Sequence, residues 1–344
     1  MIPFVLALHR ALTTDPQANL CWSPYAVARA LERTVTGARG VTRDELVTAL
    51  LGDKDGDLAA LDALLTEAAV LEAPKYAPAP ELAVSTTLWA DPALNTSARQ
   101  APFMTDPDKT RDLINQDVAA TTRGLVPELI DSLPPDAVSA LVVALYLKCG
   151  WVEEFEEKDT GPRPFRTPEG KKQVPTMRLV EEVGYARTAD WQVVSLPAFG
   201  GVSAVILLPY GDLDRFEQAL TVDTLTELFA APTKRPVDLR LPAFTVSVRA
   251  ELKEGLTALG VRTAFTAGAE LDGGLVLDDV AHQSVLTVDE HGIEGAAAAA
   301  AIAWMGAFTE DPVVVKVERP FLFAVVHEET GALYFLARIT DPVT

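Results

Sequence analysis

"GIEGAAAAAAIAWMGAF" (residues 292–308) carries six alanines in a row. Alanine has the highest helix propensity, so local preference alone predicts a helix here. An all-alanine helix, however, offers no apolar stripe large enough to hold it against a core. With a period of two, one face carries Ile293, Gly295, Ala297, Ala299, Ala301 and Ala303. The other carries Glu294, Ala296, Ala298, Ala300, Ile302 and Trp304. The only charge, Glu294, falls on the second face, and the first is small or apolar throughout. Such a segment enters the middle of a sheet without a large pocket and without burying a charge. Gly292 and Gly295 supply a hinge. The run therefore suits two states, an exposed loop and a buried central strand. A plain surface linker is the competing reading of any small-residue run.

The rest of the chain divides in two. The first half reads as mainly helical. "MIPFVLALHRAL" is amphipathic. "SPYAVARALERTVTG" has Ser23 as N-cap, Pro24 at the first helical position and Gly37 as its stop. In "TRDELVTALLG", Thr42 followed three residues later by Glu45 predicts a capping box. "LAALDALLTEAAVLEA" and "TRDLINQDVAATTRGLVPELIDSL" add further helices, the latter punctuated by Pro127 and Pro134. From about residue 138 the character changes. "VSALVVALYLKCGW" predicts a strand buried on both faces. "QVVSLPAFGGVSAVILLPYG" predicts two strands joined by Gly200-Gly201, and "VDLRLPAFTVSV" one strand. "LKEGLTALG" is a helix closed by Gly260, and "HQSVLTVDE", "VVVKVERPFLFAVVHEETG" and "ALYFLARIT" are strand-like. Helices followed by mostly antiparallel strands predict an α+β fold, with no linker to split residues 1–344 into more than one domain.

Composition narrows the function. With 29 basic against 49 acidic residues the net charge is −20, which argues against nucleic acid or another polyanion as partner and against activation by heparin. No apolar run is long enough to span a bilayer. The start lacks a basic region and an A-x-A cleavage site, so no secretory signal is visible; cytoplasmic and secreted-after-processing placements both stay open. Cys21 and Cys149 show no metal-ligand spacing and read as buried reduced thiols. "DKDGD" (53–57) resembles the start of a calcium loop, but Leu58 and Leu64 occupy the glycine and final ligand positions, so it reads as a solvated turn. "NTS" (95–97) is a weak glycosylation match. No metal or cofactor site is expected. No nucleophile sits beside a base, so the chain reads as a non-enzyme.

The stretch "HQSVLTVDEHGIEGAAAA" (282–299) resembles the end of a central strand and the reactive-loop hinge of the serpin family, and the resemblance runs over nearly the whole chain. "NLCWSPYAVARAL" matches through Asn19, Ser23 and Pro24; "TGARGVTRDELVTALLG" through Gly37, Ala38, Gly40 and Thr42; and "INQDVAATTRG" through Ile114, Asn115, Val118, Thr122 and Gly124. "ALYLKCGWVEEFEEKDTGPRPF" matches through Ala144, Lys148, Trp151, Phe155, Thr160 and Phe165. "LPAF" (241–244) and "ERPFLFAVVHEETGALYFLARITDP", with Pro320, Phe321 and Phe323, complete the order. The blocks are specific together, not singly.

The resemblance implies three β-sheets, eight or nine helices and an exposed reactive-centre loop at about 292–316. It also implies a monomeric suicide inhibitor that forms a covalent complex with a target serine protease. The cut loop enters the large sheet and the acyl-enzyme is trapped. The hinge maps to Gly292, Ile293, Glu294, Gly295, Ala296, Ala297, Ala298 and Ala299. Family spacing places the reactive bond at Gly306–Ala307, with Trp304, Met305 and Phe308 as alternatives; these suit chymotrypsin- or elastase-like pockets. Ser23, His282 and Trp151 map to the region where the sheet opens. Two departures stand out. Ala26 and Val143 stand where a serine and an asparagine usually partner His282, and bulky Ile293 stands where the hinge usually has a small polar residue. A non-inhibitory serpin acting as carrier, chaperone or storage protein is the second reading.

Overall fold

The computed structural model describes residues 1–94, 96–134, 136–294 and 310–343. In chain order, α1 (Ile2–Leu12), β1 (Leu20–Trp22), α2 (Pro24–Thr36), α3 (Gly40–Leu51) and α4 (Leu58–Glu67) come first. Then follow β2 (Glu81–Ala90), β3 (Arg99–Gln100), α5 (Pro107–Thr121), β4 (Ser139–Gly150), β5 (Gly161–Thr167), β6 (Gly170–Arg187), β7 (Trp191–Ala198) and β8 (Val202–Pro209). After α6 (Leu213–Gln218) and α7 (Val222–Ala230) come β9 (Thr233–Pro242), β10 (Phe244–Glu251), α8 (Leu252–Ala258), β11 (Val280–Val288) and β12 (Gly292–Ile293). The chain closes with β13 (Val313–Lys316), β14 (Phe321–His327) and β15 (Leu333–Ile339). The fold is α+β, with eight α-helices among the described residues.

The sheet that matters for function runs β10-β11-β12-β4-β2-β3. The remaining strands join as β1-β15-β14-β8-β7-β6-β9-β13, with β5 on β6. The eighteen-residue β6 belongs to two neighbourhoods. It pairs with β5 and β9 along most of its length and with β7 only through Gly184–Arg187. The second and third expected sheets thus share one strand.

The main core lies between the sheets and α1 to α4. From β4 it takes Leu141, Val143, Leu145, Leu147 and Cys149. The opposite face of β4 presents Ala140, Val142 and Ala144 to a smaller cluster with Ile114 and Val118 of α5. Strand alternation explains the split, and the small residues let α5 lie close across the sheet. Asn115 on α5 fixes the chain beyond the helix: its Oδ1 accepts from Leu129 and Ile130 N–H at 3.0 and 2.9 Å.

Several expectations change. Thr42 and Glu45 form no capping box, because α3 begins at Gly40. Thr42 Oγ1 instead accepts from Glu270 N at 3.0 Å, and Glu45 accepts from Arg262 N and Thr263 N at 2.9 and 2.7 Å. The pattern that reads as a cap serves a loop some 220 residues away. "VDLRLPAFTVSV" is two strands, β9 and β10, in different sheets, broken at Ala243. β2 lies inside the half that reads as helical. Ser23 does cap α2, its Oγ accepting from Ala26 N at 3.1 Å, and Gly200-Gly201 does turn β7 into β8.

Candidate functional site

Strands β4 and β11 meet at two ends and part in between. At the lower end they pair directly and in parallel, as Val280 with Leu141, Ala281 with Val142 and His282 with Val143. At the upper end β12 stands between them, with Ile293 opposite both Val288 of β11 and Cys149 of β4, and Gly292 opposite Gly150. Between these ends residues 144–148 of β4 keep β2 on their far side and residues 283–287 of β11 keep β10. Facing each other they form no ladder among the described residues, so the boundary is a slot with a two-residue strand seated in its mouth.

Glycine is required in that seat. A Cβ on Gly292 would lie 2.3 Å from Cys149 O and 2.8 Å from Gly150 Cα, both main-chain atoms that cannot yield cheaply. Ile293 follows with 1% of its surface exposed and joins the core below the sheet beside Cys149. Its bulk is accommodated because it fills the mouth instead of standing outside it. Glu294 still donates its N–H to Thr287 O at 2.9 Å, but its φ is +57°, a left-handed conformation that glutamate rarely adopts, and the strand stops there. Burial raises its carboxyl above the usual range, against the opposing pull of Lys148 and Tyr146.

The turn before the seat is tied to the segment after β4. Asp289 N–H donates to Gly292 O at 3.1 Å, and Asp289 Oδ1 accepts from His291 and Gly292 N–H at 2.9 and 3.1 Å. Trp151, buried and edge-on to Phe155, donates Nε1–H to Asp289 O at 2.9 Å and its backbone N–H to His291 O at 3.0 Å. Phe155 N–H donates to Glu290 O at 3.0 Å.

At the lower end His282 is fully buried. Its Nδ1 lies 2.9 Å from Val143 O, which only accepts, so Nδ1 carries the proton. Nε2 then accepts, from Ser23 backbone N–H and from Ser284 Oγ, each at 3.0 Å. Burial lowers the imidazole's pKa to about 4, so it is neutral at pH 7. The partners that Ala26 and Val143 cannot supply through side chains come from the Val143 carbonyl and from Ser284. Sequence reading missed Ser284. The signal was present, since His282 and Ser284 share one face of β11, but that face is known to be buried only once β1 and the Ser23 cap are placed against it.

Of the expected site residues, the structure brings together Gly292, Ile293, Glu294 and Trp151 at the mouth and Ser23 with His282 below. Gly295, Ala296, Ala297, Ala298 and Ala299, and the bond residues Trp304, Met305, Gly306, Ala307 and Phe308, lie outside the described residues. Beyond them β13 pairs in parallel with β9 in the other sheet. Among the described residues no cluster of His, Cys, Asp and Glu could hold a metal ion, and no helix is long and apolar enough to cross a membrane.

The family model for Serpin (serine protease inhibitor) matches residues 3–342. Leukocyte elastase inhibitor of Bos taurus is 30% identical over 98% of this chain and 97% of its own length. An uncharacterised serpin-like protein of Thermococcus kodakarensis is 27% identical over 98% and 84%. In fold, human thyroxine-binding globulin superposes with a TM-score of 0.86 at 24% identity, covering 100% of this chain and 97% of that one. The thermophilic serpin Tengpin in its native state gives 0.85 at 22%, covering 99% and 92%.

Proposed function

The chain belongs to the serpin family, and from that premise we propose that it irreversibly inhibits chymotrypsin- or elastase-like serine proteases. The observation that carries the reading is the seated hinge above an unpaired slot. Ile293 stands between Val288 and Cys149, so a strand inserted in that register would carry Gly295 between Leu286 and Leu147, Ala297 between Ser284 and Leu145, and Ala299 between His282 and Val143. Its residues 295, 297 and 299 would then face the core, as Ile293 does, and 296 and 298 the opposite side of the sheet. A charge-free core face lets the strand advance without stranding an ion.

The chemistry belongs to the protease. Its serine attacks a carbonyl between Trp304 and Thr309, the bond to the following nitrogen breaks, and the new amine end departs with β13 while the acyl end stays on the serine. Loop entry then outruns hydrolysis, and the enzyme is pulled from the geometry its oxyanion hole needs. The described end of the loop fits such a separation, since β12 and β13 lie in different sheets. A bovine relative named as an elastase inhibitor supports the substrate class.

Incubation with chymotrypsin followed by denaturing electrophoresis tests this. An SDS-stable complex is expected, and mass spectrometry of the released C-terminal peptide should place the cut between Trp304 and Thr309. Trypsin should be inhibited poorly, because no Lys or Arg lies between Gly292 and Val315. Clean cleavage without a complex would overturn the reading in favour of a non-inhibitory serpin.

A further inference from the structure

The turn that seats the hinge carries a titratable side chain that the proposed trapping cycle does not use. His291 precedes Gly292 directly, and its ring reaches two carboxylates of the segment following β4. Nδ1 lies 3.3 Å from Glu154 Oε2 and Nε2 lies 3.2 Å from Glu157 Oε1. Both ring nitrogens therefore face acceptors, an arrangement that only the doubly protonated imidazolium satisfies, since neutral histidine offers one donor. We propose that His291, Glu154 and Glu157 form a proton-operated latch that holds Gly292–Ile293 in the mouth of the slot.

The geometry links latch and seat. Asp289 binds both His291 N–H and Gly292 N–H, so the ring cannot keep its carboxylates if the turn opens and Gly292 leaves Gly150. The charges around the ring favour a proton. Glu154 and Glu157 face it from the segment after β4, and Asp289 from its own turn. Lys158, the cation of that segment, is occupied by Glu156 at 2.8 Å, and Lys148 on β4 acts on Glu294. Partial burial works against the charge, but the carboxylates outweigh it and raise the imidazole above its ordinary range. A group whose pKa is raised in the seated form contributes fully below its unperturbed pKa of about 6.5 and is lost as pH climbs through the raised value. Mild acid tightens the seat; alkali loosens it.

The latch predicts a pH-dependent exchange of main-chain hydrogens in residues 289–294, readable by mass spectrometry on the intact full chain after normalising to intrinsic rates. At pH 5.5, His291→Gln should lower protection of this segment about threefold, the scale of a partly exposed ion pair. At pH 8.5 the same substitution should change it little. In a Glu154→Gln/Glu157→Gln background the pH 5.5 effect of His291→Gln should vanish. Protection across the rest of the six-stranded sheet should be unaltered in all variants, which separates a latch from general loosening. An equal loss at both pH values, or an undiminished loss in the double-glutamine background, would overturn the proposal. Neither result depends on whether any protease is trapped.

Discussion

The two ends of the β4–β11 boundary solve one problem with opposite chemistry. Below, the strands touch, and a buried neutral histidine of β11 donates across the boundary to a carbonyl of β4, while its other nitrogen accepts from a hydroxyl of its own strand and from the backbone amide of Ser23, which caps α2. Above, they are held apart by a glycine and an isoleucine, flanked by a histidine between two carboxylates. The lower contact is strong because it is dry: a group that loses its partner there pays the full desolvation cost. At the upper end Ile293 is buried too, but the flanking His291–carboxylate pairs reach solvent and can be exchanged cheaply. A strand that lengthens downward from the mouth thus starts where bonds are weak and finishes where it must break the strong one. Ala299 is the residue that, by register, would part His282 from Val143.

The largest test removes the boundary altogether. Cutting the loop in the Trp304–Thr309 window should let a full strand join the sheet. Several kcal/mol of added stability, at about 2 °C per kcal/mol for a chain of this size, gives a rise of ~10 °C or more in Tm. Equal calorimetric transitions for cut and intact chains would mean that the slot is not a receptor for the loop. The next test asks for the register. Ala297→Arg and Ala299→Arg should convert inhibitor to substrate, because each drives an unpaired charge into the core at a cost of several kcal/mol. Ala298→Arg, which by register would stand on the other face beside Gln283, whose side chain reaches solvent, should do less. The ratio of complex to cleaved chain on a gel reads the difference, and equal ratios at neighbouring positions would put the strand out of register.

Much of this contrast is legible in the sequence, and the reasons for the rest are physical. Local rules find Ser23 as a cap and Gly200-Gly201 as a turn because both act within a few residues. They fail at Thr42 and Glu45, whose side chains satisfy a distant loop, and at Ala243, where a continuous apolar alternation hides a change of sheet. Gly292 is readable as a hinge from the residues themselves, together with Gly295, and Ile293 as part of it from the family resemblance. That they already sit between two strands is not, because the seat depends on where Gly150 and Val288 lie after folding.

The smallest test opposes the two histidines. His282 has its pKa lowered by burial, so its contribution is complete above about 6.5 and is lost as pH falls towards 4. His291 runs the other way. His282→Gln should cost about 1–2 kcal/mol at pH 7 by urea unfolding and flatten the loss between pH 6.5 and 4. His9, also buried and lowered to about 3, shares that sign, so the difference between variant and wild type isolates His282. A variant as acid-sensitive as wild type would remove His282 as the lower clasp.

Glu294 gives the seat a direction. Its left-handed φ is a bent pin where, among the described residues, the hinge last touches β11, and holding it there costs about 1 kcal/mol or more. To continue the strand its φ must swing from +57° to the extended range, and the swing releases torsion instead of storing it. The first step into the slot then includes the release of a strained backbone, before any alanine has found a partner. Glycine at 294 would lie bent at no cost, and the pin would lose its spring.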